Sequence, residues 1–189
     1  IGGNMLLART GAMYHDVGKI KNPLFFTENQ SGKFNLHDDM SYYESSQVII
    51  NHVIDGIEIC RKYHVPDQII DFVRTHHGTR RTEYFYQMEL KSNPGVEVDE
   101  KDFRYHGPIP FSKETAVLMM ADSVEAASRS LVDKTEESIS KLVDGIIDAQ
   151  MKDNQFVNTD LTFRDITTVK RVFKRKLMNM YHVRIAYPV

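Results

Sequence analysis

Apolar residues recur every three or four positions almost from end to end of this 189-residue sequence, and no stretch alternates with a period of two for long enough to build a sheet. The fold class expected is therefore all-α. A chain of this length can bury a hydrophobic core without disulfides, and it is read as one domain over residues 1–189. The single cysteine, Cys60, has no partner and lies in an apolar helical stretch, which suits a reducing compartment and a buried, inert thiol.

Local signals mark the helices. A first helix over 4–15 is expected to stop at Gly18, the residue type suited to a left-handed turn. A loop rich in Asn, Pro and Gly follows over 22–39. Ser41 and Glu44 form a capping box, opening a helix whose buried face is read as Val48, Ile49, His52, Ile57 and Cys60. Pro66 and Asp67 open the next helix, with Ile69, Ile70 and Val73 inside and His76-His77 at its end, before Gly78. A short aromatic helix over 82–90 leads to an irregular loop, 93–111, fixed by Pro94, Gly95, Gly107, Pro108 and Pro110. Helix resumes at Ser112 with Ala116, Met120, Val124 and Ala127 inward. Thr135 opens another with Ile139, Leu142, Val143, Ile146 and Ile147. Thr162 and Asp165 open the last, carrying Ile166, Val169, Phe173, Leu177 and Met180.

Charge narrows the partners. Acidic and basic residues balance, 26 against 24, so the chain as a whole makes no case for gripping a nucleic-acid polymer. No apolar run approaches the ~18 residues that a membrane helix needs. An anionic ligand would have to be captured locally.

The residues that demand an explanation are His15-Asp16, His52, His76-His77 and Asp122, each on or at the end of an expected helix. Any one helical histidine is ordinarily a core or surface residue. Together they read differently. Asp122 would be an unpaired charge in an apolar stripe unless it met a cation, and the helix ends at His15-Asp16 and His76-His77 favour positive charge. Imidazole and carboxylate ligands without thiolate suit manganese, iron, cobalt, nickel or zinc.

In these residues the sequence resembles the HD superfamily of metal-dependent phosphohydrolases, named for the adjacent His-Asp pair. It is most similar to the HD domains of PgpH-type seven-transmembrane-HD proteins, which are cyclic di-AMP phosphodiesterases. The resemblance rests on Tyr14-His15-Asp16-Val17-Gly18-Lys19, Asn22-Pro23-Leu24-Phe25-Phe26-Thr27-Glu28-Asn29-Gln30 and His76-His77-Gly78-Thr79. Phe103-Arg104-Tyr105, Gly107-Pro108 and Ala121-Asp122-Ser123-Val124-Glu125-Ala126-Ala127 also carry it.

The resemblance implies an HD-domain helical bundle, with an irregular loop between the aromatic helix and the Asp122 helix. It also implies a site for two divalent transition-metal ions, iron or manganese first and zinc, cobalt or nickel as alternatives. Asp16 would bridge the ions, His15 and Asp122 would hold the first, and His52, His76 and His77 the second. A metal-activated water would then cut a cyclic dinucleotide, cyclic di-AMP to pApA. Lys19 is the candidate for holding the substrate phosphate, Arg80 and Arg81 for a second phosphate, and Tyr84, Phe85 or Tyr86 for stacking on a base. Glu28, Glu44, Glu83 and Glu125 are the spare carboxylates nearby in sequence, some of which are expected to orient ligating histidines.

The family pattern begins with another His on an earlier helix, so the chain is expected to lack its first helix, leaving the first ion short of a ligand. His37 and His106 are possible substitutes, although His106 is left outside the site. The resemblance also places the domain in the cytoplasm, attached to an integral membrane protein through parts absent here. A nucleotide phosphohydrolase of the same superfamily, or a non-catalytic HD signalling module, are the alternatives. The His52, His76 and His77 set argues against the first, and the presence of every expected ligand within the chain argues against the second.

Overall fold

In the computed structural model, residues 1–30 and 35–182 are described, so 31–34 of the expected loop lie outside them. The helices are α1 (Met5–Tyr14), α2 (Tyr42–Lys62), α3 (Asp67–Thr75), α4 (Glu83–Ser92), α5 (Lys113–Arg129), α6 (Glu136–Lys152) and α7 (Phe163–His182), with short 3-10 turns between several of them. Among the described residues no strand forms, and one isolated antiparallel bridge joins Arg81 to Arg104. The fold is all-α, as the apolar periodicity requires. It divides into two compact units, residues 9–109 and residues 1–8 with 110–189.

In the unit of 1–8 and 110–189, each helix start carries its cap. Ser112 and Thr115 close a capping box on α5, Thr135 and Ser138 do so on α6, and the Thr162 hydroxyl accepts from Asp165 N at 3.1 Å at the start of α7. Ala116, Met120 and Val124 of α5 pack with Ile139, Val143 and Ile147 of α6 and with Ile166, Val169 and Leu177 of α7. Each fully buried aliphatic side chain contributes about 1.5–3 kcal/mol. Met180 is not part of this core: it is 41% exposed, near the end of α7. On the outer side, Lys170 reaches Asp148 and Lys174 reaches Asp144, each at 2.6 Å.

In the unit of 9–109, the expected Ser41–Glu44 capping box starts α2, with Glu44 N donating to Ser41 Oγ at 3.1 Å and Ser41 N donating to Glu44 Oε2 at 3.0 Å. The buried stripe of α2 is rotated from the expected one. His52 and Cys60 are buried, but their companions are Ile50, Val53 and Gly56, while Val48, Ile49 and Ile57 are half-buried.

The cause lies in the 3-10 turn Val17–Lys21, which presses onto α2 at Gly56. A Cβ at Gly18 would fall on the His52 carbonyl oxygen and 2.5 Å from Gly56 N. Gly18 is therefore a residue of close approach rather than the left-handed helix stop expected; it is absent from the positive-φ glycines, and α1 ends earlier, at Tyr14. Gly78, with φ +54°, does take the left-handed turn after His76-His77.

The α3 helix buries Ile69, Ile70, Phe72 and Val73 and hands over to His76 as its C-terminal cap. The 93–111 loop is ordered without being regular. It contains a 3-10 turn over Glu100–Phe103, and Thr82 N donates to the carbonyl of buried Phe103 at 2.8 Å.

Candidate metal centre

Three helices of the 9–109 unit deliver the site. His15 and Asp16 follow the last turn of α1, His52 projects from the middle of α2, and His76-His77 follow α3. Asp16, His52, His76 and His77 each offer a ligand atom within 4.8 Å of all the others. These residues are distant in sequence and gather without any thiolate.

What orients the rings is backbone. His15 Nδ1 lies 2.9 Å from Ala12 O, His52 Nδ1 2.5 Å from Ile49 O and His76 Nδ1 2.8 Å from Val73 O. A carbonyl can only accept, so each Nδ1 carries the hydrogen and each neutral ring keeps its lone pair on Nε2. All three use the carbonyl three residues back. The expected carboxylate orienters are engaged elsewhere: Glu44 with Ser41, Glu83 with Arg81, Glu125 with Arg129, and Glu28 with Lys19.

The three Nε2 atoms converge on Asp16. His15 Nε2 is 3.2 Å from Oδ2, and His52 and His76 Nε2 are 3.4 and 3.6 Å from Oδ1 and 3.1 Å from each other. Burial alone would raise the Asp16 carboxyl, but the hydrogen-bonding His15, His52 and His76 side chains outweigh it and hold the carboxyl well below the usual range. Hydrogen bonds of that kind need a second proton on the rings. Burial opposes that proton, lowering His76, and lowering His77 further with the help of His76's charge. Ionised carboxylate, neutral imidazoles and facing lone pairs are the donor set a divalent cation satisfies at once, so these residues fit a metal ion.

Lys19 completes the polar lining. Its Nζ reaches Asp16 Oδ2 at 2.8 Å and Glu28 Oε1 at 2.6 Å, and lies 5.0 Å from the Phe26 ring centroid. Burial would lower its pKa, but Asp16 and Glu28 outweigh burial and raise it, so the ammonium stays charged.

The remaining expected residues are placed as follows. Arg81 is held by Glu83 at 2.7 Å and Glu100 at 3.1 Å, with its guanidinium 4.0 Å from the Tyr86 ring. Arg80 precedes it, and its charge reaches Glu83. Tyr86 packs on Phe103, whereas Tyr84 is 66% exposed. His106 is exposed. Asp122 sits on α5, in the other unit, half-buried.

Two residues near the histidines were not singled out individually. Tyr105 stacks on His77 with centroids 4.2 Å apart and rings 23° from parallel, and Phe26 meets His52 edge-on at 5.6 Å. Both stand inside the quoted motifs, but only three-dimensional proximity assigns them to the site.

A fold of helices carrying a His-Asp pair, distant histidines and a lysine one turn on defines a class, and the sequence profile of the HD domain matches residues 1–127: the chain belongs to the HD domain family. HD-domain phosphohydrolases use divalent metals. Among particular proteins, it is 44% identical over 188 residues to the cyclic-di-AMP phosphodiesterase PgpH of Bacillus subtilis and 42% identical over 188 residues to PgpH of Listeria monocytogenes. Both matches take in 100% of this chain and 26% of the relative, so the chain spans about a quarter of their length. The crystal structure of the L. monocytogenes PgpH HD domain in complex with cyclic-di-AMP superposes with a TM-score of 0.91 at 40% identity, covering 95% of this chain and 83% of that one.

Proposed function

We propose that this chain is a metal-dependent phosphodiesterase that opens cyclic di-AMP to linear pApA. The observation supporting this most directly is the Asp16, His52, His76 and His77 group, present in a chain similar along its whole length to proteins named cyclic-di-AMP phosphodiesterases. In this reading the cofactor is a pair of divalent transition-metal ions, iron or manganese before zinc, cobalt or nickel. Asp16, His52, His76 and His77 hold one ion, and the motifs around His15 and Asp122 support these two as further ligands. When bound, such ions supply Lewis acidity at the phosphodiester and a water that is nucleophilic near neutral pH.

The chain's own residues do the rest. Asp16 stays ionised, and burial keeps His76 and His77 neutral, so no proton competes for their ligand atoms near pH 7. Lys19 exchanges its Glu28 partner for a phosphate oxygen and keeps its charge throughout. Arg80 and Arg81 are the candidates for a second phosphate, Arg81 having to leave Glu83 and Glu100 to reach it. Water adds at phosphorus, the 3′ oxygen leaves and takes up a proton, and the ring opens to a 5′-phosphorylated linear dinucleotide.

Among the described residues no helix is long and apolar enough to cross a membrane. We place the domain on the cytoplasmic side of a larger, membrane-anchored protein.

The test is hydrolysis by metal-loaded protein of cyclic di-AMP, cyclic di-GMP and a nucleoside triphosphate in competition, with products resolved by anion exchange. Faster turnover of the triphosphate would overturn the substrate assignment. Absence of turnover on all three would favour the non-catalytic signalling alternative.

A further inference from the structure

Three of the histidine rings at the candidate centre, those of His15, His52 and His76, are turned by the carbonyl three residues back. His77 has a different neighbour. Tyr105 lies flat on its ring, with centroids 4.2 Å apart and planes 23° from parallel, while His52 meets the same ring edge-on at 5.1 Å and 83°. An imidazole binds a cation in its own plane, along the nitrogen lone pair, so whatever fixes the plane of the ring also fixes where the ligand atom points. Resting on the metal-dependent reading above, we propose that Tyr105 is a positioning residue that holds the ring plane of His77 for the metal ion.

The chain immediately after the ligand builds the stack. Gly78, with φ +54°, turns the backbone away from His77, and the antiparallel bridge between Arg81 and Arg104 brings the two segments together. Tyr105 N donates to Arg80 O at 2.9 Å, Thr82 N to Phe103 O at 2.8 Å and Arg104 Nη1 to Thr79 O at 2.8 Å. Arg104 Nε donates to Glu100 at 2.7 Å, and Phe103 is buried, so the strut carrying Tyr105 is anchored on both sides. Any residue with a backbone N–H could make the bond that places position 105. What tyrosine adds is a flat face. A cavity of about 40 Å³ beside the pair, lined also by Ile50, Val53 and Gly107, has room for a water molecule and not for a displaced imidazole. With a flexible side chain at 105 the His77 ring loses the wall along one face and can turn about its last torsion. The ring of Tyr105, and not its hydroxyl, is what this role needs.

Cobalt(II) titration of the metal-free chain tests this without any nucleotide, affinity being read by competition with a chelating dye and geometry from the visible absorption of the bound ion. Tyr105→Phe should match the parent within about twofold, and Tyr105→Leu should weaken cobalt binding roughly tenfold and alter the visible bands. Tyr105→Met supplies a second flexible side chain if the leucine variant does not fold, and the melting temperature in chelator reports the fold of each. In a His77→Ala background Tyr105→Leu should cost nothing further, because its effect passes through that ring. The inference is overturned if the leucine and methionine variants bind cobalt within about twofold of the parent with unchanged bands, if Tyr105→Phe is as weak as Tyr105→Leu, or if the loss persists in full without His77. A parent chain that takes up no cobalt overturns the metal assignment and this inference with it. Cyclic di-AMP turnover is measured separately: cobalt affinities in the expected order without turnover would remove the proposed reaction and keep the role of Tyr105.

Discussion

His52 and His76 present their Nε2 atoms to each other across 3.1 Å, each ring turned into position by the carbonyl three residues earlier in the chain. Neither ring can rotate away without losing a buried hydrogen bond, so the facing lone pairs are built into α2 and the end of α3. A rigid set of neutral donors lowers the reorganisation needed to bind a cation, and it makes the metal a stabiliser of the folded chain.

Replacing one donor should therefore reduce both metal and stability gain. His76→Ala and His77→Ala are expected to lower the metal-to-protein ratio in elemental analysis. Metal at a hundred times its dissociation constant should stabilise the parent by about 2.7 kcal/mol, and this increment should shrink in each variant. Thermal unfolding with and without a chelator measures it, and unchanged metal content in both variants would refute the ligand assignment.

The same rings set a pH dependence in the metal-free protein. Burial lowers His76 and His77 below the ordinary 6.5, so below that value the unfolded chain binds protons that the folded chain refuses. Stability from these two groups is present above pH 6.5 and is lost as pH falls beneath it. Asp16 does not contribute in this window, because its carboxyl is ionised in both states well above its ordinary 3.8. In chelator, the melting temperature should fall on acidification from about pH 8 to about pH 5, and His77→Phe should flatten that fall. A profile flat in the parent would contradict the burial of neutral rings.

Gly18 carries the approach of the His-Asp segment to α2. A methyl group there meets backbone, the His52 carbonyl and Gly56 N, rather than a flexible side chain that could move aside. Gly18→Ala should cost about 3 kcal/mol, seen as a lower denaturant midpoint. It should also weaken metal binding, because displacing the 17–21 turn moves Asp16 away from His52. Retained stability with full metal content would show that the turn has room to shift.

Helix starts were readable because caps are local: Ser41, Ser112, Thr135 and Thr162 each announce a helix within the next three residues. The His76-His77 end of α3 was readable for the same reason, with Gly78 taking the turn. The rotation of the α2 stripe was not, since it depends on Gly56 meeting Gly18, a contact between segments far apart in sequence. Carboxylates were expected to orient the histidines, whereas the α-helical carbonyls of Ala12, Ile49 and Val73 do so, and backbone acceptors leave no trace in a residue pattern. The cavity beside the site was legible only in part: Tyr84 and Phe85, two of the three aromatics named together from the sequence, line it, but Phe25 and His37 join them only through the short turns between α1 and α2.

Lys19 separates a phosphate-holding role from a purely structural one. Its side chain is 21% exposed, and its ammonium is shared between Asp16 and Glu28 at 2.8 and 2.6 Å. If it turns to the substrate phosphate, Lys19→Met removes one charge-assisted hydrogen bond, worth about 1.5–3 kcal/mol, and kcat/KM for cyclic di-AMP should fall roughly tenfold to a hundredfold. Metal content should stay close to that of the parent, because the ion's ligands are untouched. Glu28→Gln breaks the same ion pair from the other side and leaves the lysine free to meet phosphate, so it should retain most of the activity. If the two variants were equally impaired, Lys19 would act through its link to Glu28 and the phosphate role would be wrong. Because the raised pKa keeps the ammonium charged well past neutrality, the parent's activity should show no loss from this group between about pH 7 and pH 9. A fall in that range that disappears in Lys19→Met would contradict the charge assigned to it.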